Sequence, residues 1–206
     1  MSSTKNRGRE RAAEMRAEQQ RRDRRKRNLS FGGVAVAMVA AVGGLTWLGL
    51  RGQTTAPGAG PAIEGLQSIT DLARDHVTSA VAYPQSPPVG GKHSAVWQNC
   101  GWYSSTIANE NAVHSMEHGA AWITYRADLT ADQKARLKSE LSGRRYVVTS
   151  EYSNLDAPVV ASAWGAQVKL TGVDDSRLTA FLDAYANSPK APEPGGECTG
   201  GTGTPS

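Results

Sequence analysis

The chain has 206 residues, of which 23 are Lys or Arg and 19 are Asp or Glu, and its formal net charge is +4. Residues 1–28 alone carry eleven basic and four acidic side chains, a local charge of +7, so the rest of the chain carries −3. The basic character therefore belongs to one short tail, which excludes a basic nucleic-acid-binding domain.

An uninterrupted apolar segment follows this tail. The 22 residues from Leu29 to Leu50 contain no Asp, Glu, Lys or Arg. As a helix they would span about 33 Å, enough to cross a hydrocarbon core of about 30 Å. The segment is longer than the apolar part of a cleaved signal peptide, and no small-residue cleavage site follows it. Because basic residues hold the preceding end in the cytoplasm, we predict a single-pass protein of the cell membrane with an extracytoplasmic C-terminal domain.

The tail and the span also indicate two partners, which are anionic lipid and a second copy of the chain. Arg, Glu, Ala and Gln dominate residues 7–27, so the tail can form a solvated helix whose charge attracts anionic lipid headgroups. We prefer this interpretation to nucleic-acid binding. Gly33, Ala37 and Ala41 place small residues at every fourth position of the span, which would permit a homodimer through the transmembrane helix.

Composition divides the remaining residues into three parts. Residues 51–61 are rich in Gly and Pro and predict a flexible linker. Residues 62–198 have the length of one ordinary domain. Residues 199–206, TGGTGTPS, are predicted to be disordered.

Short strands and helices alternate in the predicted domain. Helix-like apolar spacing occurs within residues 64–74. Strands are predicted at residues 76–83, 120–125, 146–149, 159–163 and 167–170. Thr130 caps a predicted helix that runs to Leu141 and stops at Gly143, and Asp174 or Asp175 caps a last helix. The pattern predicts an α+β sandwich with a small sheet that is covered on one face.

Two cysteines, Cys100 and Cys198, fall on the predicted extracytoplasmic side, where disulfides persist. Cys198 lies in the Pro- and Gly-rich segment PEPGGECTGG, which has no apolar pattern of its own, so a disulfide would attach this segment to the domain. We favour this pairing over a thiolate metal ligand at Cys100 or two free thiols.

The four histidines all follow the span, and three lie in unusual segments. His93 ends PPVGGKH, whose prolines and glycines impose a fixed path. His114 and His118 lie four residues apart in VHSMEHG, which places both on one face of a helix that Gly119 can end. Imidazoles at this spacing commonly hold a metal with a third, distant ligand. We therefore predict that His93, His114 and His118 bind copper or zinc.

Neighbouring residues extend this hypothesis. Glu117 and His76 are candidates for supporting groups around the ion, and Glu117 is also a candidate acid or base. An extended segment would put Met116 on the same face as His114 and His118, a set that suits Cu(I), whereas a helix would turn Met116 away. HSMEH is not the HExxH pattern of zinc proteases. The alternative is that the histidines are hydrogen-bonded structural residues and that the four Trp after the span belong to the core.

These segments resemble a bacterial membrane-anchored family known as domain-of-unknown-function family 3105. The likeness covers most of residues 66–198. It runs through HVTSAVAYPQSPPVGGKH, WQNCGWY, NENAVHSMEHGAAWITYRADL, APVVASAWG and PEPGGECTGG. Met116 stands where the family often has Leu, which weighs against a thioether ligand. The resemblance implies an anchored extracytoplasmic domain and a shared site around His93, Glu117 and His118, without an established activity.

Three functions remain open. The first is a metal-binding module, the second is a metal-assisted hydrolase with Glu117 as general base, and the third is a structural protein of the cell envelope without a ligand. The sequence contains no Gly-rich phosphate loop, no GxSxG elbow and no SxxK motif. Whether the protein is an enzyme is left undecided by the sequence.

Overall fold

A computed structural model describes residues 62–206. They form an α+β domain with a mixed six-stranded sheet and three helices. The elements are β1 (Gln67–Ser68), β2 (Gly101–Trp102), α1 (Asn109–Glu117), β3 (Ala121–Tyr125), α2 (Ala131–Leu141), β4 (Val147–Glu151), β5 (Val159–Ala163), β6 (Ala166–Leu170) and α3 (Arg177–Tyr185). The predicted tail, transmembrane helix and linker lie outside the described residues. Among residues 62–206, none of the helices has the length and apolar character needed to cross a membrane.

The sheet has the strand order β1-β6-β5-β3-β4-β2. Strand β3 lies at its centre, parallel to β4 and antiparallel to β5. Parallel neighbours need a crossover connection, which α2 supplies between β3 and β4. Strands β5 and β6 form a tight hairpin through Gly165, whose φ of 70° and close approach to the Ile69 carbonyl suit a residue without a side chain.

Both faces of the sheet are buried, so the prediction of a sheet that is covered on one face only is wrong. Ile123 and Tyr125 of β3 point into one apolar cluster with α2 and α3, through residues such as Leu137 and Phe181. Trp122, the residue between them, points to the other side. It packs there with Val148 of β4 and with Ala112, Val113 and Met116 of α1. Helix α1, which carries two of the histidines, therefore covers the second face.

The sequence predicts the Thr130 cap of α2 correctly, whereas α3 has its N-cap at Ser176, just after the predicted Asp174 or Asp175. Thr130 accepts a hydrogen bond from the backbone N–H of Gln133, whose side chain in turn accepts from the Thr130 N–H, and this capping box begins α2. Gly143 follows the helix with a φ of 75°. At α3 the Asp175 carboxylate accepts from the backbone N–H of Arg177, and the neighbouring guanidinium holds the pKa of Asp175 well below its usual range.

The predictions for residues 64–83 are largely wrong. Gly65 has a positive φ, and only Gln67–Ser68 become regular, as a short edge strand paired with β6. Of the predicted strand at residues 76–83, His76 alone forms a bridge, in parallel with His93. The Val81 N–H donates to the Glu110 carboxylate, 29 residues away, in place of a strand partner. Long-range polar contacts therefore shape this segment.

The segment after Cys198 is ordered, in contrast to the predicted disorder. Thr202 exchanges backbone hydrogen bonds with Trp97 and Asn99, and the Ser206 N–H donates to the Trp102 carbonyl. Cys198 forms the predicted disulfide with Cys100. The last residues of the chain therefore lie against the segment from Trp97 to Trp102, which leads into β2 and includes it.

Candidate metal centre

Helix α1 presents both of its histidines on one side, as their spacing predicts. His114 lies in its last turn and His118 caps its end. Gly119, with a φ of 100°, then turns the chain into β3. The extended alternative for this segment is wrong, because residues 109–117 are helical. Met116 accordingly points away from the histidines and is fully buried in the apolar cluster against the sheet.

The loop PPVGGKH fixes the position of His93. The Val89 carbonyl accepts from the N–H of Gly165 in the β5–β6 turn, and the Pro87 carbonyl accepts from the Gln167 side chain. The backbone of His93 pairs with both neighbours of His76: its carbonyl accepts from Val77 and its N–H donates to Asp75. This parallel bridge places the two imidazoles side by side, with ring centroids 4.9 Å apart.

Three histidines meet at one point. One ring nitrogen each from His76, His93 and His114 lie within 4.8 Å of one another, close enough for all three to hold one metal ion. His93 and His114 are buried, whereas the side chain of His76 is 50% exposed and faces solvent. His118 and Glu117 flank this set, and Glu117 is also buried. The structure thus places His76, predicted as a supporting residue, within the cluster itself.

Backbone carbonyls fix which nitrogen of each buried imidazole carries the proton. The Nδ1 atoms of His93, His114 and His118 each face one carbonyl oxygen. The acceptors are Gly91, Ser94 and Glu197, at 2.8, 2.6 and 2.7 Å. A carbonyl can only accept, so each Nδ1–H donates and each neutral ring keeps its lone pair on Nε2. This is the arrangement by which metal-binding histidines are usually oriented.

The Nε2 atoms of His93 and His114 face a carboxylate oxygen and another ring nitrogen at short distances. Nε2 of His114 lies 3.0 Å from Nε2 of His118, and Nε2 of His93 lies 2.8 Å from Oε2 of Glu117. Two neutral imidazoles of this tautomer would point lone pairs at each other, so a proton or a metal cation has to lie between them. Ligands on one ion, at bonds of about 2.0–2.1 Å, come about this close to each other.

Burial lowers the pKa of His114 below its usual value of 6.5. The hydrogen bond to Ser94 raises the pKa, and the charges of His118, His93 and His76 lower it further. A proton on His114 is therefore disfavoured, and a neutral imidazole is the form that a metal ion needs.

Two tryptophans and a cavity surround the cluster. Trp97 lies against the rings of His114 and His118, and Trp164 meets His93 edge-on. A cavity of about 820 Å³ borders His76, with Glu110 and Asn111 in its wall. The half-exposed His76 thus lies between the buried histidines and open space. By contrast, Trp122 belongs to the core, and its indole N–H donates to Ser150.

The predicted ligand set and the observed cluster overlap without being identical. His93 and His114 belong to both. His118 touches the cluster through His114, and His76 joins it by the bridge to His93. A thiolate ligand at Cys100 is ruled out because both cysteines are in the disulfide. The sequence carried only a weak signal for His76, namely that it begins the first of the motifs quoted above.

A family described as "Protein of unknown function (DUF3105)" matches residues 76–200. The match covers more than half of the chain, so the protein belongs to this family. It extends from the first histidine of the cluster to just past the disulfide. No curated protein and no solved structure matches the chain.

Proposed function

We propose that this member of the DUF3105 family binds a transition-metal ion through Nε2 of His76, His93 and His114, with the Glu117 carboxylate beside them. The observation that carries the proposal is the convergence of the imidazoles, of which His93 and His114 have Nδ1 committed to a backbone carbonyl. With Nδ1 donating to a carbonyl, each of these two rings presents Nε2 to the same cluster, which is how metal-binding histidines are usually oriented.

The ligand types narrow the choice of metal. Imidazole and carboxylate suit zinc and Cu²⁺, and the disulfide removes both thiolates from consideration. Met116 is turned into the core, so nothing favours a thioether site for Cu(I). We therefore expect a divalent ion, zinc or copper. Three histidines leave one position on a tetrahedral ion for Glu117 or water.

Metal titration of the full-length protein tests this proposal. The protein is purified in detergent, stripped with a chelator and titrated with Zn²⁺ and Cu²⁺ by calorimetry, and the bound metal is then measured by elemental analysis. We expect His114→Gln to weaken metal binding by more than about 10–100-fold. That smaller loss is typical of removing a residue that only hydrogen-bonds to a metal ligand. Ser115→Ala is the matched control, because its hydroxyl bonds to Gln98 and not to the cluster.

Two results would contradict the proposal. One is no metal in the wild-type protein after loading, and the other is equal affinity in the wild type and His114→Gln. Either result would leave the histidines as structural residues of the fold. Circular dichroism of each variant separates the loss of a ligand from the loss of the fold.

A hydrolase is the second candidate function. The cavity beside His76 gives a substrate access to an ion at the cluster, and the Glu117 carboxylate, 2.8 Å from Nε2 of His93, lies beside that ion, where it can act as general base. Zinc-loaded protein should then cleave a panel of activated esters and phosphoesters, and Glu117→Gln should abolish cleavage. Equal rates in Glu117→Gln and in the matched variant Glu140→Gln would refute this role.

We also propose that the domain lies outside the cytoplasm, anchored by residues 29–50. The disulfide supports this location, because such bonds persist in oxidising compartments. A reporter that is active only outside the cytoplasm, fused after Ser206, should be active. Activity from the same reporter at the N-terminus, and none after Ser206, would reverse the orientation.

A further inference from the structure

More ligand atoms surround the cluster than one ion needs. Four imidazoles and two carboxylates form a connected group in which each has a ligand atom within 4.8 Å of another, whereas a tetrahedral ion takes four ligands. The members are His76, His93, His114, His118, Glu117 and Glu193. One tetrahedral ion would therefore leave two of these six donors without a metal.

Distances divide the series into two sets of the same composition. In the first set, Oε2 of Glu117 lies 2.8 Å from Nε2 of His93 and 3.9 Å from Nε2 of His76. In the second set, Nε2 of His118 lies 3.0 Å from Nε2 of His114 and 3.7 Å from Oε2 of Glu193. Each set contains two imidazoles and one carboxylate, a combination that binds zinc and iron in other proteins.

The backbone around Glu193 is held in place at several points. The Glu193 N–H donates to the Glu117 carbonyl, and Tyr146 donates to the Gly196 carbonyl. Gly196 packs so closely on the His118 ring that a side chain there would clash with it. Two residues further on, Cys198 is tied to Cys100. The Glu193 side chain is 64% exposed, so an ion can reach it from solvent.

We propose that the centre takes two metal ions, the second one at His114, His118 and Glu193. This inference rests on the proposed function. In the singly loaded protein His114 completes the first ion together with His76 and His93. In the doubly loaded protein Glu117 takes that place and Nε2 of His114 binds the second ion. Because two cations repel each other at such short range, the second ion binds more weakly than the first, and the Glu193 carboxylate offsets part of this repulsion.

Counting ions in variants of the exposed carboxylate tests the second position. Full-length protein in detergent is loaded with excess Zn²⁺, and the bound ions are counted by native mass spectrometry. The wild type should hold two ions and Glu193→Gln should hold one, at unchanged affinity for the first. Glu197→Gln is the matched control, since residue 197 contacts His118 through its backbone carbonyl, and it should keep two ions.

A second readout uses Cu²⁺, because two paramagnetic ions held in one cluster interact. Electron paramagnetic resonance should show coupled spins in the doubly loaded wild type and an isolated Cu²⁺ signal in Glu193→Gln. One ion in the wild type, or two ions in Glu193→Gln, would overturn the inference while leaving the proposed function intact. Absence of any bound ion would instead refute the proposed function.

Discussion

Replacing Cys100 and Cys198 together by Ser removes the one cross-link among the described residues, and the effect on stability can be estimated from the length of the loop it closes. The two cysteines are 98 positions apart in sequence. Restricting the unfolded chain by a loop of this length contributes about 4.7 kcal/mol to the free energy of unfolding. For a domain of this size, that loss corresponds to a fall in Tm of roughly 15 °C.

Urea denaturation followed by circular dichroism measures this loss. Because the cross-link acts mainly on the unfolded chain, the native spectrum should be unchanged while the dependence on urea becomes steeper. Wild-type protein unfolded in the presence of a reducing thiol is the matched control and should give the same midpoint as the double variant. A loss below about 1 kcal/mol would refute the argument from chain entropy.

Three further changes test other parts of the fold. Thr130→Ala removes the capping box of α2 and should lower the free energy of unfolding by about 1 kcal/mol in urea titrations, whereas an unchanged midpoint would contradict the cap. Leu137→Ala empties a fully buried site between α2 and the sheet and should cost about 2–5 kcal/mol, and a cost below 1 kcal/mol would show that α2 does not pack there. The pKa of His114 is lowered in the folded state, so below pH 6.5 the unfolded chain binds more protons than the folded protein. The free energy of unfolding of the metal-free protein should therefore fall as the pH falls from 6.5 toward the lowered pKa. The His114→Gln variant should lose less of its free energy of unfolding over the same pH range.

Local signals in the sequence predicted those elements whose partners lie nearby in the chain. The capping box of Thr130 and Gln133 fixes the start of α2 without help from the rest of the fold. The four-residue spacing of His114 and His118 is sufficient to align them once the segment is helical. The central strand β3 has a near-continuous apolar sequence because both of its faces are buried.

Contacts between distant residues explain the predictions that failed. His76 joins the cluster only because its segment pairs with His93, 17 residues later, through a β-bridge. No pattern in the local sequence predicts this bridge. The order of the last residues depends on hydrogen bonds between Thr202 and Trp97, more than 100 positions apart. Glu193 comes near His118 through another long-range contact, the hydrogen bond from the Glu193 N–H to the Glu117 carbonyl. A candidate metal centre whose residues come from four separate segments is therefore recognisable from sequence only in its helical part.

X-ray absorption spectroscopy of the zinc-loaded, full-length protein tests the central claim most directly, because it reports the atoms bound to the ion. With one equivalent of Zn²⁺, we expect nitrogen and oxygen at about 2.0–2.1 Å and the multiple scattering of about three imidazole rings, reduced in His93→Gln. A first shell of oxygen without imidazole, or a shell unchanged in His93→Gln, would contradict binding by this histidine cluster.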